Sequence, residues 1–342
     1  MPGPRIREWK PSEGGESTAK RNHWFSFVAD GKHFLNKGNF DLVVCFNAWS
    51  LFLFKLLHPF SKSQLLVLWC VDFIPKKYSN RKLEGLYRYV EEQSLNKCDV
   101  YIDNNQYAMN ARLLQRKKPL LDSKRKLLVP ITHDLNLNES IQTPVTKQIN
   151  LGYIGRLDKR NGADKLVPIL EILDQLGLIA TLDIIGKGEL EKEILQQITD
   201  SGCSSNVRFH GHLESRKEVE LALKNVQLGL APYRPDTFSR YADPGKLVTL
   251  TALGIPCLVS DAPLIAKDYE DAGAVRRIRH DAEPSEWASA IVGFFKQSEE
   301  SLSKMRSNAI HFSYSRSSEI VFSRVLVSLE QAFLDMNEGI NE

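Results

Sequence analysis

Apolar positions along this chain come in short unbroken runs, and most runs are followed by a stretch with apolar residues at helical spacing. Phe40–Phe46 reads as a buried strand, and Leu65–Val71, Val100–Ile102 and Lys126–Val129 as further strands. Segments 48–57, 83–96 and 106–115 read as helices. Apolar runs without polar alternation, separated by helices, predict a parallel sheet covered on both faces. From about 134 to 148 the chain turns polar, with Asn, Ser, Thr and Pro144, as expected of an interdomain linker. The rhythm then restarts. Strands are expected at 149–154, 181–185, 207–210, 227–231, 255–259 and 274–278. Helices are expected near 163–177, 188–200, 215–225, 244–253, 284–297 and 301–313, and a long amphipathic one over 316–336. The fold class is α/β, with a Rossmann-like first domain at 1–148, a doubly wound second domain at 149–315 and a C-terminal segment at 316–342.

Composition changes this picture in two ways. The five cysteines (45, 70, 98, 203, 257) are scattered, and no Cys-x-x-Cys occurs, so they read as reduced core residues and offer no zinc spacing. The net charge of +3 hides an asymmetry: residues 1–148 hold 23 Lys+Arg against 14 Asp+Glu, the remainder 22 against 28. The basic residues cluster at Lys76-Lys77 with Arg81-Lys82, and at Arg112, Arg116-Lys117-Lys118 and Lys124-Arg125-Lys126. Such a half is either a solvated face or a surface for an acidic partner, an anionic membrane among them. No aromatic-interleaved basic motif accompanies the charge, so nucleic acid is not expected. The polar start, Met1-Pro-Gly-Pro-Arg-Ile-Arg, carries no signal-peptide pattern, and a cytoplasmic protein is expected, peripheral on the membrane at most. Asn47, Lys55 and His58 break the longest apolar stretch, Leu42–Phe60, into a strand and an amphipathic helix rather than a membrane span.

The candidate chemistry centres on Tyr241–Ser260. Asp243 can cap a helix that opens at Pro244-Gly245-Lys246 and closes at Gly254. Lys246 then falls in the first turn, where the helix dipole disfavours a cation unless an anion sits there as well. Arg156 follows Gly155 at a strand end, on the carboxyl edge where α/β sheets bind ligands. Gly186 and Gly188 let backbone approach a ligand closely. Asp72 stands at a strand end in the first domain as a base or acceptor contact, and His133 follows another strand at the cleft edge. His210 and His212 read as structural.

Three blocks in order resemble GT-B glycosyltransferases of the retaining, family 4 type. They are Leu151-Gly-Tyr-Ile-Gly-Arg-Leu157, Leu182-Asp-Ile-Ile-Gly-Lys-Gly-Glu-Leu190, and Pro244, Lys246, Ala252, Gly254 and Pro256. The resemblance covers residues 149 to about 300. It implies two Rossmann-like domains facing a cleft, with the last helix crossing back onto the first. It also implies transfer of a sugar from a nucleotide-diphosphate sugar to a glycan or lipid-linked saccharide, with retained configuration. No Asp-x-Asp occurs, so no metal and no cofactor beyond the nucleotide-sugar co-substrate is expected, and Arg156 and Lys246 would neutralise the diphosphate. The family's lysine before the next glycine is replaced by Asn161, with Arg160 beside it as a substitute. Two glutamates usual in the family, the second holding the ribose, correspond here to Tyr241 and Thr249. Thr249 keeps one hydrogen bond, and Asp243 could take over a sugar contact. The histidine usual before Asp72 is Val71. Arg5–Asn22 is polar where an acceptor domain normally has an apolar strand and a glycine loop. The first two or so βα units are therefore expected to be missing, with Gly14-Gly15 as a stand-in for that loop. A non-catalytic relative that binds a saccharide or a partner transferase is the competing reading. A nucleotide-sugar epimerase would need acid/base residues that this sequence does not place.

Overall fold

The computed structural model describes residues 40–57, 65–116, 125–134 and 148–341. The stretch before Phe40, including Gly14-Gly15, lies outside the described residues, as do Lys117, Lys118, Lys124 and most of the expected linker.

The first domain runs β1 (Leu42–Phe46), α1 (Ala48–Leu57), β2 (Leu65–Cys70), α2 (Arg81–Lys97), β3 (Val100–Asp103), α3 (Gln106–Leu114) and β4 (Arg125–Leu128). Its four strands lie side by side in chain order, all parallel. Leu65, Leu66, Val67 and Leu68 of β2 are all buried, as an unbroken apolar run requires when both faces are covered. The run at 40–46 behaves otherwise. It is the outer strand of the described sheet, and only Cys45 is buried while Leu42, Val44 and Phe46 stand exposed. Asn80 starts α2 earlier than its apolar spacing predicts, because its side chain accepts from the Lys82 and Leu83 N–H groups. Asn105 does the same for α3 through Ala108.

The second domain contains β5 (Ile149–Ile154), α4 (Leu166–Gln175), β6 (Ala180–Ile185), α5 (Glu191–Asp200), β7 (Val207–Gly211), α6 (Arg216–Leu223) and β8 (Leu228–Ala231). It continues with α7 (Gly245–Ala252), β9 (Cys257–Ser260), α8 (Ala266–Asp271), β10 (Val275–Ile278), α9 (Pro284–Phe295) and α10 (Glu299–Tyr314). The strand order is β10-β9-β8-β5-β6-β7, all parallel. The order reverses between β5 and β8, which opens a crevice beyond the carboxyl ends of the strands. One core layer gathers Leu151, Tyr153, Leu170, Leu182 and Trp287. The opposite layer gathers Leu223, Leu247, Leu250, Val259 and Tyr269. The short α8 has too few residues to show a helical period and went unseen in the sequence.

α11 (Ser318–Asn341) then leaves the second domain and lies on the first. Its Val321, Val325 and Ala332 pack with Leu65, Val67, Val100 and Ile102 of β2 and β3. All five cysteines are free and buried. Among the described residues no helix is long and apolar enough to cross a membrane.

Candidate functional site

Two glycine loops form the floor of the crevice. β5 ends in Gly155 (φ 142°) and β6 in Gly186 (φ 144°). Each loop hydrogen-bonds its neighbour: Gly155 N–H donates to Ile185 O at 2.9 Å, and Leu157 N–H to Lys187 O at 3.0 Å. A Cβ on Gly186 would lie 1.8 Å from Gly155 O, and one on Gly188 2.2 Å from Leu157 O. The two glycines are thus demanded by loop-on-loop packing, a tighter requirement than approach to a ligand. Above them opens a cleft of about 740 Å³. Gly155, Arg156, Gly186, Lys187, Gly188, Glu191 and His212 form its polar walls, with Ile154, Ile185, Leu213 and Val219 on its apolar side.

Lys246 stands behind this floor. Its side chain is buried, and Nζ lies 4.2 Å from the Tyr153 ring centre and 4.4 Å from that of Tyr233. The ammonium touches no hydrogen-bond partner. A Cβ at Gly155 would come within 3.1 Å of Lys246 Cε and 3.4 Å of Nζ, so the lysine lies close against that loop. Burial lowers the Lys246 pKa to about 7, with Asp158 pulling the other way. A cation this dry and this lacking in partners is the strongest polar anomaly among the described residues.

Arg156 is mostly exposed at the cleft wall, its Nε 3.3 Å from Asp158. Arg160 belongs to a different cluster. Its guanidinium lies over the Phe238 ring at 4.8 Å, and it sits 3.8 Å from Asp158 and 3.9 Å from Asp236. It is not part of the cleft lining.

Asp243 does not cap α7. Pro244 is the N-cap residue, and its carbonyl accepts from Leu247 N–H at 2.9 Å. Gly245 opens the helix with open space around it. Asp243 is instead buried against Arg316, whose Nη1 lies 2.9 and 2.8 Å from its two oxygens, and it accepts from Ile131 N–H at 2.9 Å. Both oxygens are committed to the chain crossover, and burial raises the carboxyl's pKa against the pull of Arg316. Thr249 turns its hydroxyl back to Gly245 O at 3.2 Å.

His133 also departs from expectation. It is buried at the junction of α10 and α11 rather than at the cleft edge. Its Nε2 lies 2.9 Å from the Ser313 carbonyl and 2.8 Å from the Ser313 hydroxyl, and its backbone bridges to Ser317. Burial lowers its pKa. His210 is held by Asp183 at 2.8 Å, the structural role expected of it, whereas His212 lines the cleft.

Asp72 stands exposed just past β2, with its pKa raised by partial burial and opposed by Lys77 and Arg112. Its carbonyl accepts from Arg112 Nη2 at 2.8 Å. Arg112 is buried; it binds Asp103 at 3.1 Å, pairs with Glu91, and lies 5.1 Å from the Phe73 ring. Phe73 in turn meets Tyr241 edge-on, ring centres 5.0 Å apart. Further ties join the domains: Asn105 Nδ2 donates to Tyr241 O at 2.9 Å and Tyr107 OH to Asp268 at 2.6 Å. Tyr241 is thus an interdomain contact.

Sequence reasoning missed Lys187, Glu191 and His212 in the cleft, and Tyr153 and Tyr233 around Lys246. Lys187 carried a signal, as the variable position of Gly-x-Gly. The tyrosines carried none, since each sits within or beside an apolar run.

Comparison with known proteins agrees with this geometry. Residues 148–297 match the model of the family described as glycosyl transferases group 1. An uncharacterised 41.2 kDa protein of the cps region of Klebsiella pneumoniae is 24% identical over 297 residues, covering 81% of this chain and 74% of that protein. Among solved structures, Anabaena HepE in complex with UDP superposes with a TM-score of 0.69 at 16% identity, over 89% of this chain and 82% of its own. Sucrose-phosphate synthase from Thermosynechococcus elongatus gives 0.71 at 15% identity, over 97% and 86%. The fold is GT-B.

Proposed function

From the match of residues 148–297 to the group 1 glycosyl transferases, we propose that the chain moves a sugar from a nucleotide-diphosphate sugar, retaining configuration, to a glycan or lipid-linked acceptor. The single observation behind this reading is Lys246: a buried ammonium without a hydrogen-bond partner, at the start of α7 and against the Gly155 loop. A diphosphate beyond that loop would supply the missing anion, and its charge would raise the lysine's pKa again. Arg156 and Lys187 would meet the same group from the cleft walls. As the bond to the sugar breaks, negative charge grows on the leaving diphosphate, and fixed cations in a dry site stabilise that change more than water does. In this reading the chain's own cations do this without a metal. HepE was also solved with UDP-glucose, which makes a uridine nucleotide the first donor to try.

The acceptor would enter from the first domain. Asp72, on the loop that Arg112 holds and that Phe73 packs against Tyr241, would contact it. We further propose that the outer face of α2 rests on an anionic membrane. Leu83, Leu86 and Tyr89 recur there at three-residue spacing and are exposed. Phe52 of α1 adjoins Tyr89. Lys76, Lys77, Arg81 and Lys82 are exposed just before and at the start of the helix, a composition suited to a shallow seat among lipid headgroups.

Thermal shift with UDP, GDP, ADP and CDP, with and without chelator, tests the donor reading on wild type and Lys246→Ala. The expected result is a chelator-insensitive rise with one nucleotide, lost in the variant. Absence of a rise with all four would refute it and favour a non-catalytic relative.

A further inference from the structure

The cleft that accepts the nucleotide holds one carboxylate among its lining residues, Glu191. It is the first residue of α5, three residues after Gly188, and is half-buried. Its carboxylate makes no hydrogen bond or ion pair with any described residue. A carboxylate facing the site of a diphosphate is repelled by it unless it has a donor partner of its own. The part of a nucleotide that can provide one is the ribose, whose vicinal hydroxyls present two O–H donors to two carboxylate oxygens. The polar groups around the start of α7 cannot compete for that role. The Thr249 hydroxyl is turned back to Gly245 O, and both Asp243 oxygens are held by Arg316. Tyr241 faces Phe73 of the other domain.

We propose that Glu191 anchors the ribose 2′,3′-diol of the donor nucleotide, with the nucleobase on the apolar side made by Ile154, Ile185, Leu213 and Val219. The inference rests on the cleft being the nucleotide-diphosphate site. It makes Glu191 a specificity residue: it rewards a ribonucleotide and gives nothing to a sugar that lacks both hydroxyls.

The test is calorimetric titration of wild type, Glu191→Gln and Glu191→Ala. The probes are whichever of UDP, GDP, ADP or CDP binds and its 2′,3′-dideoxy counterpart. Wild type should prefer the ribonucleotide by about 10- to 100-fold, the loss of one or two charge-assisted hydrogen bonds. In Glu191→Ala that preference should fall to near unity, with dideoxynucleotide affinity unchanged, and Glu191→Gln should lie between. Three results overturn the proposal: no ribose preference in wild type, a preference that survives in both variants, or equal weakening of both ligands in Glu191→Ala. Failure of folded wild type to bind any of the four nucleotides would instead overturn the donor-site reading beneath it.

Discussion

Replacing Lys246 by methionine should stabilise the empty protein while abolishing its donor affinity. The lysine's pKa falls from 10.5 in the unfolded chain to about 7 in the fold. Between those values the unfolded state binds the proton and the folded state does not, so wild-type stability rises with pH through that window. Below pH 7 both states are protonated, and the full cost of burying the charge is present. At about 1.4 kcal/mol per pH unit, that cost is at most about 5 kcal/mol. The two tyrosine rings attract the charged form and offset part of that cost, leaving about 3–5 kcal/mol. Methionine has nearly the same length, packs in the same slot and carries no proton. Chemical denaturation of both proteins at several pH values is the assay. Lys246→Met should gain about 3–5 kcal/mol over wild type at pH 6, and the gain should shrink to about 2 kcal/mol at pH 9. Other titrating groups are common to both proteins and cancel in the difference. A variant that is less stable at pH 6, or a difference that does not change with pH, would show that Lys246 is solvated and charged in the fold, and the reasoning would fail.

Arg316→Met should leave Asp243 buried without its partner and cost about 3–5 kcal/mol, read as a lower denaturation midpoint, whereas loss of the exposed Arg156 should leave that midpoint within about 0.5 kcal/mol of wild type and weaken nucleotide binding instead. Gly186→Ala places a methyl group 1.8 Å from Gly155 O at a φ of 144°, so it should yield little folded protein, as judged by soluble expression and circular dichroism. Co-sedimentation with vesicles rich in anionic lipid should retain wild type and release Leu86→Ser/Lys82→Glu, with little binding of either to neutral vesicles; equal binding of both proteins would refute the α2 membrane face.

The sheets were legible from the chain because strands such as Ala180–Ile185 are buried on both faces and therefore continuously apolar. Lys246 was legible for a related reason: a cation in a first helical turn contradicts local electrostatics. What misled was local chemistry overruled from afar. Asp243 before Pro244 has the form of an N-cap, but its partner Arg316 is 73 residues away. His133 follows a strand toward the cleft, yet Ser313, 180 residues on, claims its ring. Leu42–Phe46 is as apolar as an inner strand, and nothing within it marks an edge position. Glu191 reads as an ordinary acidic residue at a helix start, and only the tertiary fold shows that it borders a cleft.

The crossing of α11 ties the first domain to residues made after the second. Val67, Val100 and Ile102 wait for Val321 and Val325, which leave the ribosome only after the whole second domain. At typical rates of synthesis that delay is roughly 10–40 s. Throughout it the nascent first domain carries an open apolar sheet face. The second domain, whose six strands need nothing from α11 for their sheet, can finish first. The order of assembly is then the reverse of the order of synthesis, and the interval is one in which a chaperone would have a defined face to cover.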